Sequence, residues 1–343
     1  MRRTPLYPLH RELKARFFSF AGYEMPLQYT SILEEAKVVR EGAGVFDVSH
    51  MGRLYVKGKN SLVLLEKLTT RQVEKLRVGK VQYNLISNPE GGIKDDVTIY
   101  RLDEDVFMIC VNAINREKIV NWFSQNQLEV EDVTEKTVQI ALQGKTSSQI
   151  LSKFFPIDDI RYYHFKVVDS FLVSRTGYTG EDGFEIYAPV EEGKELWSEL
   201  VKWCPPCGLG ARDVLRIEAG LVLYGHEISE TISPLEAGLE RYVSFQKEFI
   251  GKEAMLSKEV RRRLYGLKLL QKGVPREGSR IFLDGKEIGV VSSGSFSPVL
   301  NRGIALAFVD KEFLKEGLRV KVVSGNRELD AVLKAPPFVR KGS

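Results

Sequence analysis

Two periods alternate along the chain. Ser31 followed by Glu34 three residues on is a capping-box pattern, and Ile32, Leu33, Ala36, Val38 and Val39 give the next turns an apolar stripe ending at Gly42. The first fifty residues therefore read as helical and then turn-rich. After Gly52 the spacing shortens to two, with strands predicted at 53–58, 81–87, 93–102, 106–112 and 128–133 and helices at 61–68 and 115–123. Asn88-Pro89-Glu90-Gly91-Gly92 punctuates this unit as a turn. Alternation resumes from Val138 through 165–175 and 183–187, with helices at 191–203 and 211–223. A charged stretch at 247–263 is helical in character and reads as a bridge. Beyond it, short strands at 264–269, 280–283, 286–291, 303–308 and 319–323 suggest a small antiparallel barrel or sandwich.

Composition narrows the class. The chain has 343 residues, 43% of them hydrophobic, and a formal charge of +4 spread evenly, too mild for a nucleic-acid-binding face. No apolar run approaches the ~18 residues of a membrane span. The opening MRRTPLYPLH lacks a signal peptide's apolar core and is too short for a transit peptide. Three cysteines cannot staple a chain this long. The expectation is a soluble, multidomain, cytoplasmic protein.

Three segments carry candidate chemistry. In Gly91-Gly92-Ile93-Lys94-Asp95-Asp96-Val97-Thr98-Ile99-Tyr100, strand alternation puts Asp96, Thr98 and Tyr100 on one face and Asp95, Val97 and Ile99 on the packed one. A hairpin closed at 88–92 brings Tyr83 beside that row, and the following strand adds Asn112. An acid framed by aromatic rings and an amide suits a flat, polar heterocycle; an edge-strand aspartate beside surface tyrosines is the plainer alternative. In Arg175-Thr176-Gly177-Tyr178-Thr179-Gly180-Glu181-Asp182-Gly183-Phe184-Glu185, three glycines permit a tight turn and close approach to a ligand, without either phosphate-loop fingerprint. Glu185 is placed to accept paired hydrogen bonds from an amidine-like edge, or else is an exposed turn glutamate. In Gly208-Leu209-Gly210-Ala211-Arg212-Asp213-Val214-Leu215-Arg216-Ile217-Glu218, Arg212 and Arg216 share a helical face near its positive end. An anion answers them, or an internal acid such as Asp213 or Glu218 does.

Cys204-Pro205-Pro206-Cys207 lacks a thioredoxin or zinc context and reads as an incidental pair or a disulfide. The four histidines show no ligand spacing, and there is no GxSxG elbow. No metal site is expected.

Taken together, the segments resemble the glycine cleavage T-protein family, tetrahydrofolate-dependent aminomethyltransferases. RTPLYPLH, FAGYEMPLQY at 20–29, GAGVFDVSHMG at 42–52, NPEGGIKDDVTIY at 88–100, SRTGYTGEDGFEIY at 174–187, GLGARDVLRIEAGLVLYGHE at 208–227, FIGKEA at 249–254 and SSGSFSPVL at 292–300 carry the likeness. The resemblance implies an α+β fold of three domains around a central folate pocket. These are a discontinuous N-terminal domain (1–52 and 138–259), a ferredoxin-like insert (53–137) and a C-terminal β-barrel (260–343). It implies Asp96 as the catalytic acid, with Tyr83, Tyr100, Asn112, Glu185, Arg212, Met51 and Tyr178 binding folate. It also implies tetrahydrofolate as co-substrate without metal or flavin, a lipoylated H protein as partner, and functional association with the P and L proteins. The tail PPFVRKGS lacks the late tyrosine of some members, and Phe338 is its candidate replacement. Two relatives with the same fold remain as alternatives: a folate-binding protein of tRNA modification or iron–sulfur maintenance, disfavoured because Phe249-Ile250-Gly251-Lys252-Glu253 stands where such proteins carry a Cys-Tyr-x-Gly-Gln-like segment, and a folate-dependent demethylase.

Overall fold

Residues 1–341 are described by a computed structural model. An antiparallel five-stranded sheet takes strands from both ends of the first half, in the order Phe165–Val168, Phe171–Ser174, Gly183–Pro189, Thr137–Gln143, Gly44–Asp47. On one face, helix Val190–Leu200 drives Trp197, fully buried, against Val138, Ile140, Leu142 and Ile186. On the other, Phe46 and Ala141 meet Ala36 and Val39 of helix Ile32–Glu41 and Ala211, Val214 and Leu215 of helix Leu209–Glu218. Ser31 caps the first of these helices, its hydroxyl accepting from the Glu34 amide at 3.2 Å, and Gly42 ends it.

Between residues 52 and 132 the chain builds a second antiparallel sheet in the order Val81–Ser87, Ile93–Asp103, Val106–Val111, Gly52–Lys57, Val130–Asp132. Helices Ser61–Leu68 and Arg116–Gln125 cover one face, where Leu65, Leu68, Ile119 and Phe123 pack on Val97, Ile99, Phe107 and Ile109. The opposite face carries Tyr100, Met108 and Cys110 against Leu172 and Tyr187 of the first sheet. Alternation along Ile93–Asp103 thus sorts side chains as its sequence pattern requires. The third body is a closed six-stranded antiparallel barrel running from Arg262–Leu269 to Arg327–Leu333.

Several expectations are corrected. The first fifty residues contain a hairpin, Arg16–Phe20 with Tyr23–Gln28, turned by Ala21 and Gly22 at positive φ. Residues 165–175 are two strands rather than one, reversed at Asp169 (φ 53°). The helix expected at 211–223 stops at Glu218, because Gly220 takes φ 71°. The bridge expected to be helical over 247–263 holds only the short helix Lys252–Ser257, entered from Gly251 at φ 88°. Strand 286–291 runs on to Ser297 through a bulge after Val291, and the sixth barrel strand went unread. Cys204 and Cys207 are buried free thiols, and burial pushes the Cys204 pKa up to about 12.

The two chain crossings between the first and second sheets meet at Arg53, 1% exposed. Its guanidinium donates to the carbonyls of Ser49 (2.7 Å) and Met51 in the turn of the outgoing crossing. On the returning crossing it donates to the carbonyls of Thr134 (2.6 Å), in a 3-10 turn, and Thr137 (2.8 Å), at the start of the strand, and to the Thr137 hydroxyl (3.1 Å). All five N–H bonds are used without a carboxylate. Arg53→Met leaves four carbonyls short of a donor, those of Ser49 and Thr134 buried and those of Met51 and Thr137 partly so, at roughly 1–3 kcal/mol for each buried orphan. The variant should lose at least about 2 kcal/mol, read as a lowered urea midpoint. Arg53→Lys, without the planar fork, should recover only part of it; a midpoint equal to the parent's would refute this role.

Candidate active site

The hairpin turn at 88–92 fixes the register that builds the site. Gly91 takes φ 78°, and a Cβ on Gly92 would lie 1.8 Å from the Glu230 carbonyl oxygen, so the turn is pressed against the loop carrying Glu230. Strand pairing then sets Tyr83 opposite Thr98 and Leu85 opposite Asp96. The Tyr83 hydroxyl donates to Asp96 Oδ2 at 3.0 Å. Asn112 Nδ2 donates to Asp96 Oδ1 at 2.6 Å, so both oxygens of that carboxylate are held while its residue stays only partly buried.

The same amide divides between two acids. Asn112 Nδ2 also reaches Asp95 Oδ1 at 2.8 Å, the Asn112 backbone N–H reaches Asp95 Oδ2 at 3.1 Å, and Asn115 Nδ2 reaches Asp95 Oδ1 at 2.6 Å. Asp95 is fully buried on the packed face, as the alternation predicts, but its partnership with Asp96 was not foreseen. Burial raises the pKa of both acids, and the charge of Asp96 raises that of Asp95 further. Tyr83 stays a phenol, because burial and then the charge of Asp96 push its pKa well above the ordinary value.

Facing this strand, Glu185 accepts from Gln139 Nε2 (3.1 Å) and from the Thr176 hydroxyl (2.6 Å). Gln139 Nε2 also donates to the Tyr187 hydroxyl (3.1 Å), which is bonded to the Tyr100 hydroxyl at 2.8 Å. Glu185 is therefore a buried, hydrogen-bonded carboxylate and not an exposed turn residue. Tyr100 is itself fully buried, its hydroxyl engaged within this network. Cys110, cross-strand from Thr98, lies in the same layer, and burial first, then the Glu185 charge, push its thiol up to about 12. Met51 is half-buried where the cores of the two sheets meet.

The glycines at 177–183 serve a purpose other than ligand approach. A Cβ on Gly177 or Gly183 would fall 2.0 Å or 2.5 Å from the buried Gln143 side chain, and only Gly180 needs positive φ (80°). The loop wraps that glutamine and so places Tyr178, whose hydroxyl donates to the Val222 carbonyl. Arg212 lies over the Tyr178 ring at 4.8 Å.

The two arginines of the helix meet different fates. Arg216 is answered internally by Asp213 (2.8 Å) and Glu227 (2.8 Å). Arg212 Nη1 is buried with no hydrogen-bond partner, and burial lowers its pKa against the raising effect of Glu185. Nearby, His50 Nδ1 is also unpartnered, and burial pulls that ring down to about 3, so it is neutral. An orphaned guanidinium N–H facing a glutamate is what a ligand with both acceptor and donor edges would satisfy.

Seven of the eight anticipated residues are linked by hydrogen bonds, ring contact or charge, and Met51 by packing. Phe338, by contrast, packs with Ile217, Ile304 and Leu306 in a core of its own. It also borders a cleft of about 550 Å³ between Val299, Leu300 and the tail, which touches none of the groups above. Asp95, Asn115, Gln139 and Thr176 were missed; the one signal for Asp95 was an acid at a packed strand position, which must find donors.

The comparisons agree over nearly the whole chain. A model described as the GCVT N-terminal domain matches residues 6–247, and one described as the glycine cleavage T-protein C-terminal barrel domain matches residues 262–340. An aminomethyltransferase of Aquifex aeolicus is 59% identical over 338 residues, covering 98% of this chain and 96% of that one. One of Geobacillus thermodenitrificans is 43% identical over 362 residues, covering 99% of each. The crystal structure of glycine cleavage system aminomethyltransferase T from Bartonella henselae superposes with a TM-score of 0.94 at 32% identity, covering 98% of both chains.

The coupled acids give this site a measurable titration. A carboxyl whose folded pKa exceeds its unfolded value stabilises the fold fully below the unfolded value, about 3.9 for aspartate, and that contribution is lost as pH rises through the folded value. Carboxyl ¹³C signals of Asp95 and Asp96 should show at least one midpoint above the free-aspartate range. Stability should decline less from pH 5 to pH 8 in Asp95→Asn than in the parent. Two ordinary midpoints would contradict the coupling.

Proposed function

The chain belongs to the glycine cleavage T-protein family, and from that premise we propose that it is an aminomethyltransferase with tetrahydrofolate as co-substrate. The donor is an aminomethyl group held through sulfur on the dihydrolipoyl arm of a partner H protein. The products are 5,10-methylenetetrahydrofolate, ammonia and the reduced arm. Functional association with the P and L proteins follows from the same reading. No described helix is long and apolar enough to cross a membrane, and a cytoplasmic location is part of the proposal.

The observation that carries the reading is Asp96. Its carboxylate is gripped by the Tyr83 hydroxyl and the Asn112 amide, on the sheet face turned toward Glu185 and the unpartnered Arg212. The residues present fit a reduced pterin. Glu185 matches its adjacent amino and N–H donors, while Arg212 Nη1 supplies a donor that lacks an acceptor. Tetrahydrofolate, when bound, supplies the nitrogens that receive the one-carbon unit.

The chain's own groups do the rest. Asp96 accepts a proton or faces developing positive charge without moving, since both its oxygens are already fixed. Its raised pKa brings it nearer the working pH, where a carboxyl both gives and takes a proton. Asn112 keeps Asp95 and Asp96 on one hydrogen-bond axis, so the charge of one acid tunes the other. Tyr83, held as a phenol, keeps the carboxylate aimed. Cys110, a neutral thiol in this layer, is a poor competitor for an electrophilic carbon, because the thiolate is the nucleophile.

Ammonia release from aminomethylated H protein, with and without tetrahydrofolate, tests the assignment against a binding-only relative and against a demethylase of small compounds; no folate-dependent release would refute it. Asp96→Asn should keep folate affinity while lowering turnover by about 10²- to 10⁴-fold, the usual range for general acid–base help. Unchanged turnover would reject Asp96. Glu185→Ala should raise the folate Kd at least about tenfold, as for a charge-assisted bond of about 1.5–3 kcal/mol. Retained affinity in a titration would contradict its role.

A further inference from the structure

Asp95 and Asp96 stand side by side, but their partners differ in kind. Asp95 is fully buried, beyond the reach of any reactant. After strand Val106–Val111 the chain makes the short 3-10 turn Ala113–Asn115, closed by the Asn115 N–H on the Asn112 carbonyl at 3.0 Å, and this brings the two asparagine side chains to one side. Both donate to Asp95 Oδ1, Asn112 at 2.8 Å and Asn115 at 2.6 Å, while the Asn112 backbone N–H donates to Oδ2 at 3.1 Å. Helix Arg116–Gln125 begins at this point, and its positive end favours a negative charge there. All three partners are N–H donors, and the backbone one cannot be reversed.

Asp96, half-buried, has one N–H partner, Asn112 Nδ2 at 2.6 Å, and one hydroxyl partner, Tyr83 at 3.0 Å. A phenol both donates and accepts, so the second bond survives reversal, with a protonated Asp96 donating to the Tyr83 oxygen. The other titratable groups facing the pair are Tyr178, toward Asp96, and Tyr224, toward Asp95. Lys118 donates to the Tyr224 hydroxyl at 2.8 Å and is paired with Glu230 at 2.9 Å. Among the described residues no cation bonds either acid, so two full charges would share one amide, and their repulsion admits a proton to the pair. Burial alone would seat that proton on Asp95, the more enclosed acid. The donors oppose it: a proton on Asp95 is set against N–H groups at both oxygens, whereas on Asp96 it meets an oxygen able to accept it.

We infer that Asp95 is a positioning residue of the reaction: it stays ionised and keeps the proton of the pair on Asp96, which therefore enters each turnover as an acid and leaves it as a base. This rests on the aminomethyl-transfer reading above. A turnover carries two protons, from the two nitrogens that gain the carbon to the amine nitrogen and the sulfur that lose it. Asp96 gives its proton as the bond from carbon to a leaving atom breaks and the electron pair goes to that atom. For that interval both acids are charged, and the repulsion that raises each of them draws a proton back from a nitrogen newly bonded to carbon. The same exchange then serves the second leaving atom, and Asp96 ends protonated as it began.

The test titrates the full chain, without folate, carrying ¹³C-labelled aspartate, with Asp95→Asn and Asp96→Asn assigning the two carboxyl signals. Of the pair's two midpoints, the upper should appear chiefly on Asp96 and lie above the free-aspartate range. Asn115→Ala removes one donor from Asp95 and touches neither Asp96 nor Tyr83. It should move part of the upper transition onto Asp95 and shift the alkaline limb of the kcat profile to lower pH by about one unit, a tenfold change in proton affinity. The KM for aminomethylated H protein should not follow. An upper midpoint on Asp95 in the parent, two ordinary midpoints, or an alkaline limb that Asn115→Ala leaves in place would overturn the assignment while folate-dependent ammonia release still stood. The parent's signals decide even where Asn115→Ala does not fold. A parent whose Asp96 carries the proton but releases no ammonia would overturn the function and not the proton's place.

Discussion

A guanidinium with no carboxylate to answer it sits where the chain leaves its first sheet and where it returns. Arg53 ties residues 49 and 51 to residues 134 and 137, and through them fixes how one sheet faces the other. Burial lowers its pKa, but five acceptors are arranged around a planar fork that only arginine presents. Every distance across the candidate site depends on that orientation, since Asp96 belongs to one sheet and Glu185 to the other. Neutral acceptors suit the place: a carboxylate there would have needed its own desolvation.

Within that frame the chemistry is set by one amide. Asn112 spends its two N–H bonds on two neighbouring carboxylates, one facing the packed interior and one facing the opposite sheet. The arrangement makes the acids interdependent, so that a proton on Asp95 changes what Asp96 can do without any side chain moving. Glu185 and Arg212 complete the electrostatics from the far side, a satisfied anion and an unsatisfied cation.

Local signals were legible and distant ones were not. The turn at 88–92, the alternation from Ile93 and the cap at Ser31 each rest on neighbours in sequence, and the structure keeps them. Asp96, Tyr83 and Asn112 could be brought together because a hairpin register links them. The hairpin near residue 20 was missed because its aromatic strands are short and its turn uses Ala21 at positive φ, an unusual choice. Gln139, Thr176 and Asn115 were missed because nothing near them in sequence announces a partner. The glycines around Tyr178 were visible, but their cause, the Gln143 side chain, lies some forty residues away at most. Of the two helical arginines, only packing against Glu227 distinguishes the structural one from the free one.

Helix Leu209–Glu218 joins the site to the barrel. Arg212 leans toward Tyr178, while one turn on Arg216 donates to Ser293 at 2.7 Å, and Glu218 accepts from Ser297 at 2.5 Å and from the backbone N–H groups of Phe338 and Val339. The arginine that confronts the pocket is therefore indexed to barrel strands far along the chain. The C-terminal body is no detachable accessory: a truncation or a domain exchange there would strip the helix of the partners that hold Arg216 and Glu218, and with them the aim of Arg212 one turn away.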